Sequence, residues 1–353
     1  MSAKPIHIVS LPGDGIGPEV CREALRVLEI ACGHAGRTLD VVELPLGGVA
    51  LDAGEEALPE RTRVAAQQAD AVLLGAVGLP KYDGQPGNRR PEKGLLDLRK
   101  ALGVYANLRP VRTIPALAGF SPLKPELLAG VDLIVVRELL SDVYFGEPRA
   151  IEGERAYNTM SYTRQEVRRV AKIAFELARR RKKHVYSIDK ANVLEVSQLW
   201  RATVSELHRE QYTDIKLEHQ YVDSAAMDLI RTPKKFDVIV TGNLFGDILT
   251  DEAAVLAGSI GLLPSASLGD GPGLFEPIHG SAPDIAGKNI ANPLGAIGSV
   301  ASLLDTVGLP EQARAVERAI DQVLAAGHRT RDLGGDVSTD QMGSYVCKAL
   351  ESS

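Results

Sequence analysis

Short apolar runs alternate along this chain with longer stretches of helical period. Ile6–Leu11 reads as a strand, and Ala71–Leu74 and Val131–Val136 are continuous apolar runs of the kind found in strands covered on both faces. After the first strand comes the turn Pro12-Gly13-Asp14-Gly15-Ile16-Gly17-Pro18. A helix is predicted from about Pro18, with Val20, Ala24, Val27, Leu28 and Ala31 on one face. Thr163-Arg164-Gln165-Glu166 predicts a capping box. The helix it opens carries Val167, Val170, Ala171, Ala174, Leu177 and Ala178 as a stripe and ends in the basic run Arg179–Lys183, which suits its C-terminal dipole. His184–Ile188, Ile215–Tyr221 and Phe236–Val240 read as further strands, each followed by a helical segment. This alternation predicts an α/β protein with a largely parallel sheet. Two stretches fit neither period. Phe145–Tyr162 is polar, a loop or an arm that pairs with another chain. Pro264–Pro293 is rich in Gly, Pro and Ser and predicts a long functional loop.

Composition narrows the class. With 353 residues, the chain suits one large or two joined domains. A net charge of −6 argues against a protein that neutralises nucleic-acid phosphates over a broad basic face. No apolar run approaches a membrane span. Met1–Pro5 lacks the features of a signal peptide, so a cytoplasmic protein is expected. Cys21, Cys32 and Cys347 have no metal-ligand spacing and read as buried thiols in a reducing compartment.

Candidate chemistry sits at strand ends. The Gly13–Gly17 turn has the wrong spacing for a dinucleotide fingerprint. It is a tight turn needing positive φ, or an anion site at a helix start. In Thr241–Asp251 a strand runs into a helix, and Asp247 and Asp251, four apart, share one face. They form either a solvated acidic face or part of an oxygen-only site selecting Mg²⁺ or Mn²⁺, with Asp223 as a possible third ligand. Arg99, Arg109 and Arg137 end apolar or strand-like segments and could together hold a dicarboxylate, though each alone could be an ordinary ion-pair partner. Lys190 follows a strand directly and is a candidate base; Tyr144 is a candidate proton donor or a packing residue.

Taken together, Leu11–Glu19, Gly94-Leu95-Leu96 with Arg99, Ala106–Pro110, Asp189–Leu194, Gly242–Asp251 and Glu276–Gly287 resemble the β-decarboxylating dehydrogenases of the isocitrate/isopropylmalate family over nearly the whole chain. The resemblance implies an isopropylmalate dehydrogenase-like fold: two α/β domains around a mostly parallel sheet, rather than a classical Rossmann fold. One domain, on the cofactor side, takes both chain ends (1–104 and 258–353). The central one (105–257) carries a dimer interface and an arm at about 145–162. It further implies a homodimer with shared active sites, in which Arg99, Arg109 and Arg137 hold the malate carboxylates and Asp223, Asp247 and Asp251 bind Mg²⁺ or Mn²⁺. Asp223 and Lys190 would come from the second subunit. Lys190 would assist removal of the hydroxyl proton, and Tyr144 would protonate the enol. NAD would lie along Glu276–Asn292, with His279 and Asn292 near the adenine, Asp284 on the ribose hydroxyls, Gly280, Ser281, Ala282, Pro283 and Ile285 lining the loop, and Glu92 by the nicotinamide.

The implied reaction is oxidation and decarboxylation of (2R,3S)-3-isopropylmalate to 4-methyl-2-oxopentanoate and CO₂ with reduction of NAD, in leucine biosynthesis. Leu95, Leu96 and Val193 would offer an apolar wall to the isopropyl group and leave a third carboxylate unpaired; core packing is the ordinary alternative. Asp284 favours NAD over NADP, because a carboxylate there repels a 2′-phosphate. Two positions depart from the family pattern. Leu140-Ser141-Asp142 stands where a Thr-Gly-Gly-like turn is usual, and Lys93 replaces a small residue beside Glu92. Competing expectations are a broader alkylmalate, tartrate or malate dehydrogenase, and an inactive relative that binds nucleotide or metal as an interaction module.

Overall fold

The computed structural model describes residues 4–352, so Met1–Ala3 of the segment read for a targeting signal lie outside it. The chain divides into two compact units, 1–104 with 259–353 and 105–258. The first begins with β1 (Ile6–Gly13), α1 (Gly17–His34), β2 (Leu39–Glu43), α2 (Gly48–Asp52), α3 (Glu60–Gln68), β3 (Ala71–Ala76) and α4 (Pro91–Leu102). The second comprises β4 (Val104–Arg112), α5 (Pro125–Leu128), β5 (Asp132–Glu138), the hairpin β6 (Ala150–Glu152) and β7 (Arg155–Tyr157), α6 (Arg164–Arg179), β8 (His184–Asp189), α7 (Glu195–Gln211), β9 (Lys216–Tyr221), α8 (Val222–Arg231), β10 (Val238–Thr241) and α9 (Asn243–Ala257). The first is then completed by β11 (Pro264–Gly269), β12 (Gly273–Pro277), α10 (Leu294–Thr306), α11 (Pro310–Ala325) and α12 (Thr339–Glu351).

Within the first unit the strands run β2-β1-β3-β12-β11, all parallel except the β11–β12 pair. Every residue of β3 is buried, as its unbroken apolar run requires. Helix α1 has Pro18 in its first turn, where a missing N–H costs nothing, and buries Val20, Ala24, Val27, Leu28 and Ala31. It packs on α10 and α12. Helix α10 is apolar around most of its circumference because α1, α11 and the β11–β12 hairpin enclose it.

Within the second unit the order is β4-β5-β10-β8-β9, antiparallel only at β4–β5. The predicted capping box holds: the Thr163 side chain accepts from the Glu166 N–H, and the Glu166 carboxylate accepts from the Thr163 N–H. The polar stretch after Phe145 contains the small β6–β7 hairpin, in which Ile151 is 85% exposed.

One expectation fails. Pro264–Pro293 is not a long loop: Pro264–Pro277 forms the β11–β12 hairpin, with β12 wholly buried. The run Ser-Ala-Ser-Leu-Gly hides its strand character because small residues pack where α10 approaches closely. The Cγ of Pro264, for example, would lie 3.3 Å from a Cβ on Gly298. Only residues after Pro277 form the connecting segment.

Candidate active site

In the central unit, two strands and a turn converge on one aspartate of α9. Arg137, the penultimate residue of β5, is 3% exposed, and its guanidinium pairs with the Asp247 carboxylate on α9. Its Nε donates to the Asn243 backbone and side-chain oxygens, both at 3.0 Å, and a terminal nitrogen donates to the Asn243 Oδ1 at 2.7 Å. Gly246 permits this: a Cβ there would sit 2.6 Å from the Arg137 Cγ. Arg109, on β4, donates to Asn107 Oδ1 (2.8 Å) and to Thr250 Oγ1 (2.6 Å). It also approaches Asp247 at 3.8 Å and Asp251 at 3.5 Å. The Tyr144 hydroxyl donates to the other Asp247 oxygen at 2.5 Å, and its ring lies 5.4 Å from the Arg137 guanidinium. Burial and this carboxylate push the Tyr144 hydroxyl pKa upward, holding its proton in place.

Asp247 and Asp251 are thus together, flanked by two guanidiniums, whereas Asp223 is not with them. It pairs with Lys190 at 2.7 Å, where the ammonium holds its carboxyl below the ordinary value. Among the described residues no three His, Cys, Asp or Glu side chains gather as a metal site within one chain. The donor chemistry still suits a hard divalent cation: only oxygens are offered, and Asp251 is largely exposed and free to turn.

In the other unit, Arg99 on α4 pairs with Glu276 at 2.8 Å, both nearly buried, and the Arg99 Nε is buried with no partner among the described residues. Leu95 and Leu96 are only half-buried, so they are not core leucines. Lys93 is tied to Asp97 one turn along α4, on the exposed face. The Glu92 carboxylate lies against Gly78. The His279 Nδ1–H donates to the Gly280 carbonyl (2.9 Å), while its Nε2 is buried and unpartnered among the described residues, and burial lowers its pKa. Gly280 faces open space, Asp284 and Pro283 are exposed, and Ala282 and Ile285 close a turn. An unpaired ring nitrogen beside an open glycine and an exposed carboxylate suits a nucleoside. Asn292 is different: it is 6% exposed, donating to Asp332 (3.0 Å) and accepting from the Leu294 N–H (3.0 Å).

The Gly13–Gly17 turn acts as a joint. Asp14, 3% exposed, accepts from the N–H groups of Gly48 (2.9 Å), Val49 (2.8 Å) and Gly78 (2.8 Å). The Ile16 N–H donates to the Ser281 carbonyl (2.8 Å), and a Cβ on Gly15 would lie 2.0 Å from that oxygen. The turn's carboxylate is therefore engaged with the protein's own backbone, which favours the tight-turn reading over an anion site.

Asn107, Asn243, Gly246 and Thr250 were not singled out from sequence. Only Asn243, the first residue after the strand-ending Thr241-Gly242, offered a signal: helix starts favour side chains that pair with backbone or neighbouring groups.

Residues 7–346 match the protein family described as isocitrate/isopropylmalate dehydrogenase. Among curated relatives, the 3-isopropylmalate dehydrogenase of Salinibacter ruber is 56% identical, with 94% of this chain and 91% of that protein covered. The 3-isopropylmalate dehydrogenase of Thermotoga maritima is 54% identical, over 98% and 99%. Among solved structures, the isocitrate dehydrogenase of Methylococcus capsulatus aligns with a TM-score of 0.87 at 34% identity, covering 98% of this chain and 99% of that one. A β-decarboxylating dehydrogenase of Thermococcus kodakarensis aligns at 0.83 and 37%, covering 98% and 96%.

Proposed function

The chain belongs to the isocitrate/isopropylmalate dehydrogenase family, and from that premise we propose that it oxidises and decarboxylates (2R,3S)-3-isopropylmalate to 4-methyl-2-oxopentanoate and CO₂, reducing NAD, in leucine biosynthesis. The observation that carries the reaction class is the convergence of Arg137, Arg109 and Tyr144 on Asp247. Identity above half with relatives named for isopropylmalate, and the half-buried Leu95-Leu96 pair one turn before Arg99, support the substrate.

Arg99, Arg109 and Arg137 bind and orient the two carboxylates, each through a planar fork. Leu95 and Leu96 exclude water from the C3 substituent and give a third carboxylate no partner. Asp247 and Asp251, with Asp223 from a second copy of the chain, would hold Mg²⁺ or Mn²⁺. When bound, the cation supplies positive charge where the substrate oxygen becomes anionic, and the nicotinamide supplies a hydride acceptor. Lys190 of the second copy would assist removal of the hydroxyl proton, accepting it as the neutral amine that neighbouring positive charge favours. Tyr144 keeps its own proton and delivers it to carbon after CO₂ has left. His279, Ser281 and Asp284 position the adenosine, and Asp284 disfavours a 2′-phosphate.

A homodimer is part of this reading. Val193 and Ile248 are each 60% exposed and Met227 54%, apolar surface that a second copy would cover. All three cysteines are free buried thiols, as suits the cytoplasm. No helix among the described residues is long and apolar enough to cross a membrane.

A substrate panel followed at about 340 nm, where reduced nicotinamide absorbs, tests the function. NADH formation with isopropylmalate and Mn²⁺, and little with isocitrate, homoisocitrate or tartrate, is expected. Turnover of one of the latter without isopropylmalate overturns the substrate. No turnover of any of them favours an inactive binding relative.

A further inference from the structure

We propose that Asp142 is a positioning residue for the reaction above: it clamps the turn carrying Tyr144 to the start of α9, and so sets the Tyr144 hydroxyl against Asp247. The residue is an aspartate held at φ +70° and 1% exposed. That backbone region favours glycine, and aspartate is among the few other residues that tolerate it. A buried carboxylate in such a conformation persists when the surroundings satisfy it, and here they do so on two sides.

On one side, the Asp142 backbone carbonyl accepts from the Phe145 N–H (3.1 Å) and the Gly146 N–H (2.7 Å), closing the turn that presents Tyr144. Its Oδ1 accepts from the Val143 N–H at 2.7 Å, fixing the same turn from within. On the other side, its Oδ2 accepts from the Leu244 N–H at 3.1 Å. Helix α9 needs this, because its own N-cap, Gly242, has no side chain to satisfy the first N–H groups. The Asn243 N–H is satisfied from the same cluster: it donates to the Tyr162 hydroxyl at 2.8 Å, which lies 3.4 Å from Asp142 Oδ2 and 3.2 Å from Glu138 Oε2. The two elements that meet at Tyr144 and Asp247 therefore also meet at Asp142, whose carboxylate hydrogen-bonds to neither the Tyr144 nor the Asp247 side chain. Glycine at this position would relax the backbone but leave the Leu244 N–H without its acceptor. The turn would then be free to move relative to α9.

The test is a double-mutant cycle with Asp142→Gly and Tyr144→Phe, using NAD, Mn²⁺ and isopropylmalate. Asp142→Gly is expected to lower kcat about 10- to 100-fold while both KM values stay within about twofold. In the Tyr144→Phe background the same change is expected to cost less than about twofold, because the group being positioned is already absent. An equal loss in both backgrounds would overturn the proposal, since it would mean general loosening of the fold. Should Asp142→Gly fail to fold, Asp142→Asn, which tolerates the same backbone and keeps one side-chain oxygen, carries the cycle with a smaller effect of the same pattern. Because the assay rests on the proposed function, a crystal structure of the variant supplies a second readout that needs no substrate. Separation of the Tyr144 hydroxyl and Asp247 beyond about 3.5 Å supports the clamp, and a retained contact overturns it. A parent enzyme without turnover counts against the function alone.

Discussion

At the scale of residues, Asp247 is where the site's groups meet: one of its oxygens faces Arg137 and the other faces Tyr144. Asp247→Asn is expected to abolish Mn²⁺-dependent turnover and to lower stability by about 1–3 kcal/mol in urea unfolding, because the buried guanidinium loses its charged partner. Tyr144→Phe removes the hydroxyl that carries the proton but leaves the Arg137–Asp247 pair in place, and a kcat loss of about 10²-fold or more with little change in Tm is expected. Steady-state kinetics beside a thermal melt separates the two. Much of this was readable in advance, because arginines at strand ends and aspartates four apart on a helix carry their spacing in the chain. Gly246 was not readable as a site residue, and Asn243 was readable only as a helix start. Their importance comes from how close the Arg137 side chain lies to α9, a distance that no local pattern encodes. The same holds for Asp142. It stands where the family usually carries a small turn residue, yet it is buried and turned toward the helix start.

Elements explain where the chemistry is held, and one of them links stability to pH. Strand β5 ends in Arg137 and Glu138, on opposite faces by the alternation of the strand. Glu138 is fully buried, accepts from the Leu140 and Ser141 N–H groups, and burial pushes its pKa up to about 7. Arg169, at 3.6 Å, and the Tyr162 hydroxyl only partly offset that burial. From its ordinary 4.5 up to about 7 the folded state keeps a proton that the unfolded chain has lost, so this group makes stability fall as pH rises through that window and stay level above it. Urea midpoints measured between those limits should decline in the parent and flatten in Glu138→Gln; a parallel decline in both would assign the effect elsewhere. At the head of α6, Glu166 serves both the capping box and Ser141, whose hydroxyl donates to it at 2.7 Å. Thr163→Ala is expected to cost about 1 kcal/mol in the same unfolding experiment. Period and caps made these helices legible. The β11–β12 hairpin was not, because its small residues serve the close approach of α10 and carry little strand signature.

At the scale of the molecule, the groups expected to act together lie in two places on one chain: Asp247 and Asp251 with the arginines, and Lys190 with Asp223. A second copy unites them in the function proposed here, and the exposed Val193, Met227 and Ile248 give it an apolar surface to cover. Pairing of distant surfaces between copies leaves no periodic trace in one sequence; the polar Phe145–Tyr162 stretch left an arm as one alternative, and only the resemblance suggested shared sites. Subunit complementation tests this central claim most directly. Lys190→Met and Asp247→Asn, each inactive alone, are unfolded together, refolded as a mixture and assayed with isopropylmalate, NAD and Mn²⁺. Shared sites predict that mixed dimers regain one intact site each, restoring about a quarter of the parental activity. Activity no greater than that of the separate variants would contradict the account, because each chain would then have to build its site alone.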